Sequence, residues 1–135
     1  MPKSTPVPVA MSLCDDLVVD SKTRKVHVIG WYDCIRATAF PHTHPIFLVV
    51  VPLAGAEGKY KFSVRCSGLA GSTVFASPER EFVFQSTHQV VWVSFRIRRV
   101  RFPRPGIYQV QHLCENRAVC DRSLTVLTKE GNGDV

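Results

Sequence analysis

The chain has 135 residues, of which 45% are hydrophobic and 21% charged, and its formal net charge is +6. This composition excludes an intrinsically disordered chain, and the length is that of one domain with a core of its own. The positive charge modestly favours anionic partners. We predict one domain over residues 1–135, with an ordered core over about 6–128 and mobile ends at 1–5 and 129–135.

The first residues do not resemble a secretory signal. Residues 1–16 contain one lysine, a short apolar stretch broken by Pro6 and Pro8, and then two aspartates. The longest apolar run, Pro45–Ala54, is too short to cross a bilayer. Five cysteines without CxxC spacing predict that most are reduced thiols, and neither a disulfide framework nor a zinc site. We therefore expect a cytoplasmic protein without a transmembrane segment.

Apolar and polar residues alternate with a period of two along much of the chain. From Val7 to Leu13, from Tyr60 to Cys66 and from Val91 to Ile97, every second residue belongs to an apolar series. This pattern predicts strands that bury one face. The segments Val26–Ile35 and Ile46–Leu53 are apolar on both parities, as in strands that are covered on both sides or lie at a partner contact.

Short clusters of turn-forming residues separate these segments. They lie at Ser21–Lys25, Ala54–Gly58, Ser67–Ser72, Ser77–Glu79, Ser86–His88, Pro103–Gly106 and Glu115–Ala118. No window carries the apolar stripe of an amphipathic helix, and β-branched and aromatic residues fill the periodic segments. The spacing predicts an all-β fold, namely an antiparallel β-sandwich of the Ig-like or C2-like kind with eight or nine strands.

The sequence near the end of the chain favours a sandwich over the alternative, a closed barrel. FPRPGIYQVQ places a turn directly before Tyr108, and a tyrosine at the head of a penultimate strand often ties a sandwich corner through its hydroxyl. The final hairpin would then pair Ile107–Cys114 with Val119–Leu127.

Two side chains of this hairpin have predicted positions. A three-residue loop centred on Arg117 would place Cys114 opposite Cys120, where the thiols could bridge under oxidation. His112 has the parity of Tyr108, on a face that we assign to the core. We therefore expect a buried histidine whose ring nitrogens bond to backbone groups.

FPHTHPIFLVVV, residues 40–51, places two histidines one residue apart. His42 and His44 would point the same way on a strand and could share a metal ion. A third ligand would have to come from His112 or Cys114, and no second motif supports it. The flanking prolines explain the stretch as the entry of a strand. We predict no metal site and no cofactor, and we keep a metal-dependent hydrolase or sensor only as a third alternative.

An arginine-rich segment, SFRIRRVRFPRPG, contains Arg96, Arg98, Arg99, Arg101 and Arg104. Arg96 and Arg98 share one face, but the parity then slips, so that Arg99 and Arg101 alternate with Val100 and Phe102. A β-bulge near Arg98–Arg99 would explain this slip. With Trp92 nearby, this strand could take phosphates or stack a base. The ordinary interpretation, which we favour, is a solvated strand whose charges discourage edge-to-edge aggregation.

Four short elements occur together in this chain: LCD at Leu13–Asp15, KxxxIG at Lys25–Gly30, FPxxHP at Phe40–Pro45 and PGxY at Pro105–Tyr108. Together they resemble an uncharacterised bacterial family of small single-domain β proteins of planctomycete type, known as a domain of unknown function. The resemblance spans about residues 7–127. The resemblance implies an Ig-like or C2-like sandwich without an assigned activity. It also implies that FPxxHP marks the entry of a strand. It supplies no catalytic residues.

Motifs of phosphate-binding and hydrolytic sites, such as GxxxxGK[ST], GxSxG and HExxH, are absent from the sequence. We therefore predict a module that is not an enzyme and that acts as a scaffold or accessory subunit. It would bind another protein, or a second copy of itself, through a sheet face or an edge strand. The candidate contact residues are Trp31, Tyr32 and Trp92. Nucleic-acid or anionic-surface binding through Arg96–Arg104 is the alternative, with Arg96, Arg98, Arg99 and Arg101 as its candidate residues.

Overall fold

The computed structural model describes residues 5–68 and 70–129. Within these residues the chain forms twelve strands and no helix, so no helix there could cross a bilayer. The strands are β1 Val7–Pro8, β2 Ser12–Cys14, β3 Asp16–Val19, β4 Val26–Ile29, β5 Cys34–Ala37, β6 His42–Ala54, β7 Gly58–Gly68, β8 Thr73–Ala76, β9 Arg80–Phe84, β10 Val91–Phe102, β11 Gly106–Cys114 and β12 Arg117–Thr128.

The strand count exceeds the predicted eight or nine because two apolar runs are broken into short pieces. The run from Val7 to Leu13 contributes β1 and part of β2, and the run Val26–Ile35 is divided into β4 and the start of β5. Gly30 lies between β4 and β5 with a φ of 68°, a left-handed conformation that ends the first strand. Hydrophobic alternation alone does not reveal such breaks.

The described residues form three sheets. Sheet A has β1 and β2 along one edge of β6 and β10 along the other, and sheet C has the order β5-β12-β11-β7-β8 with β9 also on β7. Strands β3 and β4 form a separate two-stranded sheet. The pair β5–β12 is parallel, so the prediction of a purely antiparallel arrangement was wrong at that edge. After β4 the chain crosses to sheet C, where β5 runs in the same direction as β12.

The two larger sheets share one hydrophobic core. Alternate residues of β6, from Phe47 to Leu53, pack with alternate residues of β7, from Tyr60 to Cys66, and with β10, β11 and β12. The ring of Phe95 in β10 contacts the rings of Phe82 and His112 in sheet C, with centroids 6.4 and 6.1 Å apart. The period of two therefore places sheet A face to face with sheet C.

The predicted tyrosine corner is confirmed. The Tyr108 hydroxyl donates a hydrogen bond of 2.6 Å to the carbonyl oxygen of Arg104, and the ring packs edge-on against Phe102. A shallow cavity of about 220 Å³ lies over this corner, with Gly68, Pro103 and Arg104 in its lining. The turn before β11 is thus fixed by a side chain of β11.

The parity slip in β10 is also confirmed, but it is not a one-sided bulge. Every second residue faces the core up to Ile97, but the next core-facing residue is Val100, three positions later. Arg99, between them, has a φ of 56°. Strand β6 makes a matching slip, so Arg98 still pairs with Ile46 and Val100 with His44. Because each strand carries the same extra residue, the register between β6 and β10 is preserved.

The final hairpin has a tighter turn than predicted. Its two turn residues, Glu115 and Asn116, have φ angles of 51° and 65°, and Cys114 pairs with Arg117. A register shift follows between His112 and Leu113, so Cys120 lies opposite His112. The predicted juxtaposition of Cys114 with Cys120 was therefore wrong.

The two chain ends were predicted to be mobile over residues 1–5 and 129–135. Of the ends predicted to be mobile, residues 1–4 and 130–135 lie outside the described part of the chain. Lys129 lies inside it and donates its backbone N–H to the carbonyl oxygen of Ala37 at 2.6 Å. This bond continues the contact between β12 and β5 for one residue.

Candidate functional site

Strands β3 and β4 form a hairpin outside both larger sheets, and we call residues Asp16–Ile29 the arm. Leu17 pairs with Val28, and Val19 pairs with Val26. No other strand among the described residues pairs with either one, so each has one edge without a strand partner. A two-stranded ribbon is only marginally stable alone, so its attachment at both ends matters.

The tip of the arm is closed by its own hydrogen bonds. The Asp20 carboxylate accepts bonds from the backbone N–H groups of Lys22 and Thr23, at 2.8 and 2.9 Å. Both bonds lower the pKa of Asp20, and the bond from Thr23 has the larger effect. The Arg24 N–H donates to the Asp20 carbonyl, and Arg24 has a φ of 63°. Asp20 therefore initiates the turn, as its side chain is suited to do.

The base of the arm rests on the outer face of sheet A, which is the face turned away from the core. Leu17 packs on a small cluster of Cys14, Leu48 and Val50, which is separate from the main core. Asp16 forms an ion pair with Arg96 at 3.4 Å, but both side chains are about half exposed, so this pair contributes little. Apolar packing of Leu17 is therefore the main attachment of the arm to sheet A.

Apolar side chains on both faces of the arm are exposed to solvent. Val18 and Ile29 belong to one face, and Val19 and Val28 to the other, since paired residues share a face. Their exposed fractions range from 36% for Val28 to 54% for Val19. Trp31 follows the arm and is 53% exposed, with the Arg122 guanidinium 4.9 Å from its ring centroid. Apolar exposure on such an isolated element is typical of an interaction site.

The three predicted contact residues do not form one surface. The Tyr32 N–H donates to the Leu13 carbonyl, so Trp31 and Tyr32 follow the β2 edge of sheet A. Trp92 is 40% exposed and lies in β10, the opposite edge strand. Tyr32 faces inward, with its ring centroid 6.0 Å from that of Phe47. Of the three, only Trp31 lies beside the arm.

Sequence reasoning missed the first strand of the arm. Val18 and Val19 are exposed neighbours in β3, but the run DLVV is too short to show a period. The signal that could have found the arm was the neighbouring segment Val26–Ile35, which is apolar on both parities. That pattern predicted burial on both sides or a partner contact; the exposure of β4 contradicts burial, and the partner contact stays a prediction.

The arginines of β10 lie along the outer face of sheet A, and we call Arg98, Arg99 and Arg101 the arginine stripe. Arg98 points outward because its neighbour Ile97 packs on the core, and Arg101 points outward because Val100 and Phe102 do. Arg99 is exposed at the slip between them. The slip therefore gathers cations that a regular strand would divide between two faces.

The two candidate histidines lie on the core side of β6 at its first residues. Their ring centroids are 5.8 Å apart, and Tyr32 contacts His44. Burial lowers the pKa of His44, and the proximity of His42 lowers it further. His42 Nε2 and the Tyr32 hydroxyl are buried without a hydrogen-bond partner. Burial raises the pKa of Tyr32, so this hydroxyl stays protonated.

His112, a predicted third ligand, lies far from these histidines. His112 stacks on Phe62 and contacts Phe95, which pairs with Val49, seven residues or about 23 Å along β6 from His42. Within residues 5–68 and 70–129, no group of three His, Cys, Asp or Glu side chains could hold a metal ion. His112 is therefore not placed to complete a site with His42 and His44.

His112 is buried as predicted, but the expected backbone bonds are missing. Its exposed fraction is 0%, and neither ring nitrogen has a hydrogen-bond partner. Burial lowers its pKa to about 4, so the ring is neutral at pH 7. Its contacts are aromatic: the Phe62 ring lies 5.2 Å away at an interplanar angle of 30°.

The five cysteines are free thiols. Burial raises the pKa of Cys66 to about 12 and that of Cys120 to about 11. Burial also raises the pKa of Cys14. Thiols with raised pKa values are poor nucleophiles at pH 7, so these three act as apolar side chains.

Comparisons with known proteins identify a family but no activity. Residues 9–127 match a protein family described as "Family of unknown function (DUF6941)". No curated protein matches the chain. The match gives no taxonomic origin, and the planctomycete-type origin stays a prediction.

Matches to solved structures are distant, as two of them show. A β-glucosidase from Listeria innocua in complex with glucose is 11% identical with a TM-score of 0.48, over 87% of this chain and 16% of that chain. The CARDB domain of the PF1109 protein from Pyrococcus furiosus, in complex with di-metal ions, is 12% identical with a TM-score of 0.39, over 89% of both chains. Both scores are too low to carry an argument about fold or function.

Proposed function

We propose that this chain, which belongs to the DUF6941 family of unknown function, is a non-enzymatic module of the cytoplasm that binds another protein through the arm. The observation that carries this proposal is the exposure of apolar residues on both faces of a hairpin that neither larger sheet covers. An Ig-like or C2-like sandwich would serve as the rigid support of the arm.

The arm offers two kinds of contact to a partner. Each of its strands has an edge without a strand partner, to which an extended segment could add by backbone hydrogen bonds. Its exposed valine and isoleucine side chains would become buried in the complex. Covering the exposed parts of four such side chains contributes on the order of 3–5 kcal/mol.

Trp31 extends this surface toward sheet C. Its ring is held by Arg122, which also donates a hydrogen bond of 3.2 Å to the Met11 carbonyl. A tryptophan that is fixed in place loses little entropy when a partner covers it, and tryptophan is enriched among residues that dominate binding energy.

The proposal can be tested with two matched double variants. Val19→Ser with Ile29→Ser removes apolar surface from the arm, whereas Val83→Ser with Val90→Ser removes similarly exposed valines elsewhere. The wild-type chain is used to capture proteins from the native host, which are identified by mass and purified. Each captured protein is then titrated against wild type, the arm variant and the control variant. We expect the arm variant to lose at least tenfold in affinity and the control variant to bind like wild type. Equal affinities of wild type and both variants for the captured protein would refute the proposal.

A further inference from the structure

The base of the arm and the arginine stripe lie on the same outer face of sheet A. Cys14 pairs with Leu48, which pairs with Arg96, so these three residues form one row across the sheet. Arg98 pairs with Ile46, two residues along β6 from Leu48. Asp16 at the base of the arm contacts Arg96. Along β10, Arg98 lies about 7 Å from Arg96, and Arg101 lies about 17 Å from Arg96.

Cations without acidic partners dominate this composite surface. Arg96 is the one arginine of β10 with an ion pair among the described residues. The tip of the arm adds Lys22, Arg24 and Lys25. Its one acid, Asp20, is engaged by backbone N–H groups of the turn. A partner that covers the arm therefore meets cations at its tip and, beyond the Asp16–Arg96 pair at its base, in the arginine stripe.

From this arrangement we infer that the partner is a different protein that presents an acidic segment with alternating apolar side chains, and that a second copy of this chain is disfavoured. The inference rests on the proposed function of the arm. In a two-fold dimer each surface meets itself, so the stripes of two copies would approach each other. Like charges at an interface disfavour the wrong partner.

A nucleic acid fits this surface less well than an acidic protein. Single-strand binders combine cations with aromatic side chains on which bases stack. Trp92 lies six residues or about 20 Å from Arg98 on the same strand, and the Arg122 guanidinium already lies over the ring of Trp31 beside the arm. A phosphate backbone also offers no apolar surface to cover the arm. An extended acidic segment supplies both kinds of contact, because alternate side chains of a strand point to opposite faces.

The test uses three short labelled peptides and the whole protein. One peptide alternates Glu with Val, the second alternates Glu with Ser, and the third alternates Lys with Val. We expect the Glu–Val peptide to bind most tightly, with an affinity that falls steeply as NaCl rises, and the Lys–Val peptide to bind at least tenfold more weakly. Replacing the stripe by Arg98→Gln, Arg99→Gln and Arg101→Gln should abolish the preference for Glu.

The outcomes separate the inference from the proposed function. If the Lys–Val peptide binds as well as the Glu–Val peptide, or if neither binds, the inference is wrong. A single-stranded oligonucleotide that binds through the stripe while the Glu–Val peptide does not would replace it with nucleic-acid binding. If the Glu–Val peptide binds through the stripe but equally well to the variant Val19→Ser with Ile29→Ser, the stripe binds acids and the proposed function of the arm fails.

Discussion

Two tyrosine hydroxyls in this protein have opposite surroundings. The Tyr108 hydroxyl donates to the Arg104 carbonyl at 2.6 Å, whereas the Tyr32 hydroxyl is buried with no partner. We expect Tyr108→Phe to lower the free energy of unfolding by about 1 kcal/mol, because a hydrogen bond is lost. Tyr32→Phe should leave stability unchanged or raise it, because an unpaired polar atom is removed. Urea unfolding of both variants checks this, and equal losses would contradict it.

His112 should make stability depend on pH. Its pKa is about 4 in the folded protein, against 6.5 for an ordinary histidine, so between these values the unfolded chain binds more protons. The free energy of unfolding should therefore fall as pH decreases from about 6.5 to about 4, by about 3 kcal/mol from this residue. His112→Phe, which retains a ring on Phe62, should remove this part of the slope in urea unfolding at several pH values.

The remaining slope in the His112→Phe variant would come from other groups. His44 contributes in the same direction, because its pKa is also lowered by burial. If His112→Phe shows the same pH dependence as wild type, the ring of His112 reaches solvent or a partner in solution. Sequence parity predicted its burial, but parity carries no information on hydrogen-bond partners, which depend on the opposite sheet.

At the scale of elements, the base of the arm depends on Gly30. Its φ is 68°, and a Cβ added there would collide with the Asp15 side chain. Gly71 also has a positive φ, of 85°, but a Cβ there would have no atom within 4 Å. Both Gly→Ala substitutions cost about 1–2 kcal/mol of backbone strain. Gly30→Ala should cost about 1–3 kcal/mol more, because Asp15 must also move.

Thermal unfolding and hydrogen exchange of the two glycine variants measure the difference. The added loss in Gly30→Ala should be accompanied by faster amide exchange in β3 and β4, since the arm is anchored beside this residue. Equal losses in the two variants would show that Asp15 rearranges without cost.

The sequence predicted most elements but not how they end. Alternation from Tyr60 to Cys66 and from Val91 to Ile97 identified the long strands β7 and β10, because a regular period persists over seven residues. The turn at Glu115–Asn116 was predicted one residue too long and centred too late, since both residues adopt positive φ and no glycine marks them. Short strands such as β3 and the parallel pairing of β5 depend on tertiary contacts that no local pattern encodes.

For the whole molecule, the inferred repulsion between arginine stripes predicts an unusual effect of salt. At low ionic strength we expect a monomer, because the cations around the arm keep copies apart. Raising NaCl should increase self-association, since charge is screened while the apolar side chains of the arm remain exposed. Light scattering over a range of NaCl concentrations measures this. The variant with Arg98, Arg99 and Arg101 changed to Gln should already associate at low salt.

A self-association that weakens with salt, or a stripe variant that stays monomeric at low salt, would contradict this prediction. The arginines were recognised in the sequence as a cationic strand, but their position beside the arm was not. That position follows from the register of β2, β6 and β10, which links residues 34 to 60 positions apart in sequence. Contacts over such separations are visible only in the folded chain.

The matched slip of β6 and β10 ties the length of one strand to that of the other. If Arg99 alone were deleted, Val100 and Phe102 would turn to solvent while His42 and His44 still faced inward. Deleting Pro45 as well would restore agreement between the partners. Related chains should therefore gain or lose these two positions together, as a linked pair of insertions or deletions some fifty residues apart in the gene.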